Sequence, residues 1–247
     1  MENLIDINFD FRNDSKSGDP DIDSTTLNKY HEILWNKSLP IGKNFDLSGS
    51  SNGYGNKILK SEYYKESQLS SDTMNTGYIK WTTRRGMGNI IKQLSQKEID
   101  EYSKKIYTIG NFILFPCNQI DGMATINGAR GFNNKYIEDR FDLTLECIRL
   151  YYKGISNILY NPLYETLDRY KKYFNLFIDF KGYCEYFLLQ DMVLNDFSEV
   201  KYFLPFIDFS NNPCPSNINE YYIFINNIIS FIEKRNNRIL AYNKKNI

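Results

Sequence analysis

The stretch Ile106–Tyr152, IYTIGNFILFPCNQIDGMATINGARGFNNKYIEDRFDLTLECIRLYY, passes from strand character to helix character and so decides the class of fold. Its first part, Ile106–Pro116, is a run of β-branched and aromatic residues that reads as a strand. Asn118–Gly122 has turn composition, and Met123–Asn127 (MATIN) reads as the antiparallel partner that completes a hairpin. Beyond it, Ile137, Phe141, Leu145, Ile148 and Tyr152 recur at intervals of three and four. That spacing predicts an amphipathic helix over Lys135–Lys153 whose apolar stripe packs on the hairpin.

Working outward, the chain towards the C-terminus reads as helical. Asn161-Pro162 opens one helix running to about Asn175, Gly182–Val193 (GYCEYFLLQDMV) carries another, and Asn217–Asn243 a long last one. Towards the N-terminus, short helices are predicted around Gly88–Leu94 and Gln96–Lys105, and hairpins and loops over Ile41–Asn75. Six aspartates (Asp6, Asp10, Asp14, Asp19, Asp21 and Asp23) surround the turn Ser17–Pro20; Ser24 then caps a helix carrying Leu27, Tyr30, His31 and Leu34 on one face, and Pro40 ends it. The expected fold class is α+β: a single domain over residues 1–247 with a small antiparallel hairpin or sheet and a predominantly helical C-terminal half. The Gly/Ser/Asn-rich stretch 48–56 is the one weak boundary.

Composition narrows the function classes. The 247 residues contain 30 Lys+Arg against 30 Asp+Glu, so the chain lacks the basic footprint of a protein that coats nucleic acid. The start, MENLIDINFDFRND, has no basic region followed by an apolar run, so no secretory signal is read there. The longest apolar stretch, Tyr221–Ile232, is interrupted by Asn226 and Asn227 and falls short of a membrane span. Four scattered cysteines, with no CxxC pair, read as reduced thiols, and the expectation is a soluble cytoplasmic protein.

Named catalytic motifs fail one by one. Gly49–Gly53 (GSSNG) has the spacing of a nucleophile elbow, but the single histidine, His31, lies upstream and no helix is indicated after Gly53. DPDID resembles the start of a calcium loop, yet Ser24 and Tyr30 stand where the turn glycine and the bidentate glutamate belong. Phosphate-loop and dinucleotide signatures are absent, as are zinc-type His/Cys clusters. One histidine also disfavours chemistry that needs two imidazoles.

The candidate site lies in Ile126–Tyr152. Asn127 and Arg130 belong to a Gly-containing loop (Gly128, Gly131) before a helix start, where backbone N–H groups, the helix dipole and a guanidinium fork suit a phosphate or carboxylate. A plain turn with a solvated arginine fits the same residues. On the predicted helix, Asp142, Glu146, Arg149 and Lys153 fall on the face away from the apolar stripe. They read either as surface ion pairs or as a catalytic pair, Asp142 and Glu146, able to bind Mg²⁺ or act as general base, with Arg140 and Arg149 holding phosphate oxygens. Asp179, Lys181, Tyr183, Glu185, Gln190 and Asp191 could complete such a site from a neighbouring helix, Asp191 as a ligand-binding residue; helix capping also explains most of them.

Several blocks in order carry a resemblance: TTLNKYHEILWNKSLPIGKNFDL (25–47), LSSDT (69–73), YTIGNFILFP (107–116), INGARGFN (126–133), IEDRFDLTLECIRLYY (137–152), DFKGYCEYFLLQD (179–191) and FIEKRNNRI (231–239). Together they resemble a family of uncharacterised bacterial proteins known as a domain of unknown function. The resemblance implies a family and no activity, with stress or phage defence as the setting considered. Two functional readings therefore stand: an enzyme acting on a phosphate-bearing ligand, nucleotide or nucleic acid, with Mg²⁺ as candidate cofactor; and a non-catalytic binding or regulatory module whose Tyr-rich surface meets a protein partner.

Overall fold

The computed structural model describes residues 4–76, 87–131 and 133–245. A four-stranded antiparallel sheet is laid down in chain order: β1 (Leu47–Ser51), β2 (Lys57–Ser61), β3 (Gln68–Thr73) and β4 (Phe112–Pro116). Against it pack α1 (Pro20–Asp23), α2 (Thr25–Trp35), α3 (Met87–Ile91), α4 (Gln96–Ile106), α5 (Ile126–Arg130), α6 (Phe141–Tyr152), α7 (Tyr164–Arg169), α8 (Lys171–Phe174), α9 (Phe180–Tyr186) and α10 (Ile218–Lys245). The result is an α+β domain with a helical C-terminal part, as the patterning predicts.

Local signals explain why several elements form where they do. Ser24 caps α2 by accepting the Leu27 N–H at 3.0 Å, and Leu27, Tyr30, His31 and Leu34 turn inward over β1 to β3. Ser95 and Glu98 form a reciprocal capping box at the start of α4, which then runs through Ile106. That cap shortens the predicted 106–116 strand. Residues 109–111 form a 3₁₀ turn, and only Phe112–Pro116, buried along its whole length, is extended.

The partner of β4 is β3, in the register Leu69↔Pro116 to Thr73↔Phe112. The predicted hairpin with Met123–Asn127 does not form. Thr125 accepts the Gly128 N–H at 3.3 Å and starts α5 instead, a helix cap outweighing a short apolar run that periodicity alone cannot assign. The helix predicted over 135–153 begins at Phe141, because Glu138 and Asp139 hold left-handed backbone angles (φ 48° and 66°) that no right-handed helix tolerates. The helix predicted over 161–175 is broken at Tyr170 into α7 and α8, and that over 182–193 contracts to α9. Ser48–Ser51 lies in β1 and 52–56 forms the turn to β2.

One continuous core joins sheet and helices. At its centre Trp35, Phe177, Tyr183, Tyr186 and Phe187 pack with ring centroids 5.1–6.0 Å apart, in tilted and edge-on geometries that suit the ring quadrupoles. Into this apolar centre α10 inserts Arg235, fully buried and facing no carboxylate among the described residues. Its nitrogens donate to the carbonyls of Phe187 (2.9 and 3.1 Å), Gly110 (3.0 Å) and Phe112 (2.8 Å). Burial pulls its pKa down to about 9. The next residue, Asn236, accepts the Gly110 N–H at 2.7 Å, and Asn243, further along the helix, accepts the Ile5 N–H at 3.0 Å.

Candidate functional site

Arg130 is the hub of the region that the sequence singles out. It ends the short helix α5 with no solvent exposure, and all three guanidinium nitrogens donate inward. Nε meets Thr144 Oγ1 at 3.0 Å; Nη1 meets Asp72 Oδ2 at 3.1 Å, Asp139 Oδ1 at 3.2 Å and the Thr73 carbonyl at 3.2 Å; Nη2 meets the carbonyls of Met74 and Asp139. One side chain thus ties β3, the α5–α6 connection and α6 together. The arginine is an interior tie, its fork filled by protein acceptors. The two consecutive left-handed residues, Glu138 and Asp139, turn the Asp139 carboxylate and its own carbonyl onto that fork, a local strain of the kind held at ligand sites.

Beside this hub lies a cavity of about 590 Å³, bounded by the 18–22 turn, the β1–β2 turn, the length of β3, Asn127 and Asp139. Aspartates reach it from three separate elements: Asp21 from α1, Asp72 from β3 and Asp139 from the α5–α6 connection. Asp21 is positioned by the Thr73 backbone N–H (3.1 Å) and hydroxyl (2.7 Å). Amides (Asn52, Asn56, Gln68, Asn127) and hydroxyls (Ser70, Ser71, Thr73, Thr76) supply most of the remaining lining, with Lys57 and Cys117. Thr76 is 4% exposed, and its hydroxyl has no hydrogen-bond partner among the described residues. Among the described residues no three His, Cys, Asp or Glu side chains gather as a metal-binding group.

The single histidine touches the cavity wall without being able to act as its base. The Trp35 indole, a donor only, gives its Nε1–H to His31 Nδ1 at 2.9 Å, so the proton of the neutral ring sits on Nε2 and is donated to Ser71 Oγ at 3.0 Å. Complete burial, with the Arg235 charge nearby, pulls the imidazole pKa down to about 3. His31 is therefore a neutral donor at physiological pH, and Ser71 is left without a base from it.

The other predicted residues are distributed as follows. Asn127 is exposed on the cavity wall and is the one predicted ligand-binding residue there, with Arg130 behind it. Asp142 and Glu146 do not face solvent, contrary to their expected place opposite the apolar stripe: α6 is covered by the 198–213 segment as well as by the core. Asp142 pairs with Arg140, which also donates to the Pro213 carbonyl at 2.7 Å, and accepts the Phe203 N–H at 2.8 Å. Glu146 takes a two-pronged bond from Arg149, 2.7 Å on each oxygen, while Arg149 also donates to the Ser198 carbonyl at 2.9 Å. Asp191 pairs with Arg238 of α10 at 3.0 Å, and Asp179 caps α9. These are separate ion pairs, satisfied within themselves, and the structure does not bring them into one cleft. The carboxylates it does bring together, Asp21 and Asp72, sit in the DPDID and LSSDT blocks, whose only sequence-level signal was an acidic turn and a shared family block.

No helix among the described residues is long and apolar enough to cross a membrane. The family model that matches the chain, over residues 5–239, is that of DUF6994, a family of unknown function. No curated protein and no solved structure matches it.

Proposed function

We propose that this chain, which belongs to DUF6994, binds a small polar ligand in the cavity beside β3. The observation that carries the reading is the convergence of Asp21, Asp72 and Asp139, residues far apart in sequence, on one 590 Å³ space. Gathering carboxylates at low exposure costs solvation, and a cavity of this size with convergent polar groups is the usual form of a ligand site. Its lining is rich in acceptors, so the favoured ligand is rich in donors. The nucleotide reading is thereby shifted from the phosphates to the sugar and base. Arg130, Arg140 and Arg149 have their donors engaged by protein groups.

A thermal-shift screen against nucleosides, nucleotides, sugars and amines, each with and without Mg²⁺, tests this. A ligand at ten times its Kd stabilises the native state by about 1.4 kcal/mol, a rise of about 3–6 °C for a chain of this length. Asn127 is exposed on the wall, so Asn127→Trp fills the mouth without touching the core. A hit that survives Asn127→Trp undiminished rules the cavity out.

A second reading has its own observation. In the α6–α7 connection Ile155, Ile158, Leu159 and Tyr160 are 39%, 72%, 53% and 54% exposed, a run of apolar surface of the sort that marks a protein contact. If that surface holds a partner, the double variant Ile158→Asp, Leu159→Lys releases whatever protein co-purifies with the wild type, and retention of the partner refutes it.

A further inference from the structure

On the reading that the cavity beside β3 is the ligand site, its mouth carries a device to close it. Strand β2 pairs with β3 only at Leu59↔Leu69 and Lys60↔Gln68, whereas β1 pairs with β2 out to Ser51↔Lys57. The β1–β2 hairpin therefore leaves the sheet at Leu59 and runs on as a two-stranded arm. Asn56, Lys57 and Ile58 of the arm form one lip of the cavity, and Ser70, Ser71 and Asp72 of β3 form the other. Continued, the β2–β3 register would set Lys57 against Ser71, Asn56 against Asp72 and Tyr54 against Met74. Helix α1 holds the lips apart. Gln68 and Met74 bond to Cys117 and Asn111 on the β4 side, so the alternate N–H of Thr73 turns towards β2. There Asp21 accepts it at 3.1 Å.

The end of the arm is stiff in itself and attached at its root. Asn52 Oδ1 accepts the N–H of Tyr54 at 3.0 Å and of Asn56 at 2.9 Å, and the Asn52 backbone bonds to Asn56 and Gly55 at 3.0 Å each. Among the described residues no hydrogen bond joins 51–57 to anything outside the hairpin, while Ile58 at the root is buried. On this tip Tyr54 is 92% exposed, and nothing lies within 4 Å of where a Cβ would stand on Gly53 or Gly55, so the ring has clear flanks. The five residues from Leu59 to Tyr54 span about 16 Å when extended. Bending at Leu59 thus carries the ring across the mouth as far as the Asp72 end. The lining offers amides, hydroxyls and carboxylates, and the closed arm adds an aromatic face. A ligand that answers both has polar edges and a flat apolar face. A pentose or a polyamine has the polar groups without the flat ring.

We infer that the β1–β2 hairpin is a flap hinged at Leu59, which closes the cavity by stacking Tyr54 on a planar heterocycle such as a nucleobase, whose edge meets the polar lining.

The test uses the full chain and calorimetry with adenosine, guanosine, cytidine, uridine, D-ribose and spermidine. The side chain of Tyr54 is exposed, so Tyr54→Ala, Tyr54→Phe and Tyr54→Trp melt with the wild type. Expected are binding of at least one nucleoside, a loss of at least fivefold in its affinity in Tyr54→Ala, as a stacked base requires, and affinity within threefold of wild type in Tyr54→Phe, which keeps the ring. The tryptophan emission that Tyr54→Trp adds to the wild-type spectrum is quenched as that nucleoside saturates. Full nucleoside affinity in Tyr54→Ala, or added emission that the nucleoside leaves unchanged, overturns the flap; where Asn127→Trp still abolishes that binding, the cavity stands as a site. Binding of D-ribose or spermidine alone, abolished by Asn127→Trp, likewise overturns the heterocycle and keeps the cavity. Silence across the panel at millimolar concentration overturns both, as does binding that Asn127→Trp leaves unchanged.

Discussion

Acidification of the medium is expected to destabilise this protein through one imidazole. His31 is the only histidine of the chain, so any histidine titration seen in unfolding belongs to it. Its folded pKa is pushed down to about 3 by burial, against about 6.5 in the unfolded chain. Between those values the unfolded state binds more protons than the folded one, so stability is at its full value above pH 6.5 and falls as pH falls towards 3. From pH 6.5 to 5.0 the linkage integral gives a loss of about 1.6 kcal/mol for this group alone. Lys37, held down to about 7 by burial, acts in the same direction but chiefly above pH 6.5, which is why the window stops there. The assay is urea unfolding of the wild type and of His31→Gln at pH 5.0, 5.5, 6.0 and 6.5. The wild type loses about 1.6 kcal/mol more than the variant across the window. The imidazole Cε1–H resonance of the native wild type stays fixed over the same range. A native resonance that titrates near pH 6.5, or equal slopes for the two proteins, refutes the assignment of His31 as a buried neutral donor.

Arg130→Met leaves Asp72 and Asp139 without their shared guanidinium and is expected to cost about 3–5 kcal/mol in denaturant unfolding, as for any buried pair broken on one side; a loss below about 1 kcal/mol contradicts the interior-tie role. At Gly110 an added Cβ would lie 2.5 Å from the Ile232 carbonyl and 2.7 Å from Asn236 Oδ1, so Gly110→Ala lowers stability by about 2 kcal/mol or more through forced separation of α10 from the sheet. Of the four cysteines only Cys117 is partly exposed, and burial raises the pKa of its thiol; a thiol reagent at pH 8 should label one site slowly in the native protein, and all four in denaturant, as counted by mass spectrometry.

The elements legible in the sequence are those fixed by neighbours. Helix α2 follows from Ser24 and the three-and-four spacing after it, because caps and periodicity act over a few residues; α4 stands where a helix is predicted, around Gln96–Lys105, and the structure adds the Ser95/Glu98 box at its start. Met123–Asn127 is ambiguous in sequence because its apolar residues suit either a strand or a helix; Thr125 as a cap decides the matter only once β3 has claimed the edge of β4. Asp142 and Glu146 have the spacing of surface acids, yet a segment some sixty residues on closes over them. The cavity was the least legible feature. Its carboxylates come from residues 21, 72 and 139, and no local pattern relates them.

Arg235 has a consequence for synthesis on the ribosome. The carbonyls of Gly110, Phe112 and Phe187 are made long before the guanidinium that answers them, and Ile5 waits for Asn243. A nascent chain that has exposed the sheet and α9 still lacks the donors for the middle of its core. It must hold that apolar interior open until α10 emerges, so the finished domain closes in one late step, and a ribosome paused before residue 235 presents a chain that chaperones and proteases can still read as unfolded.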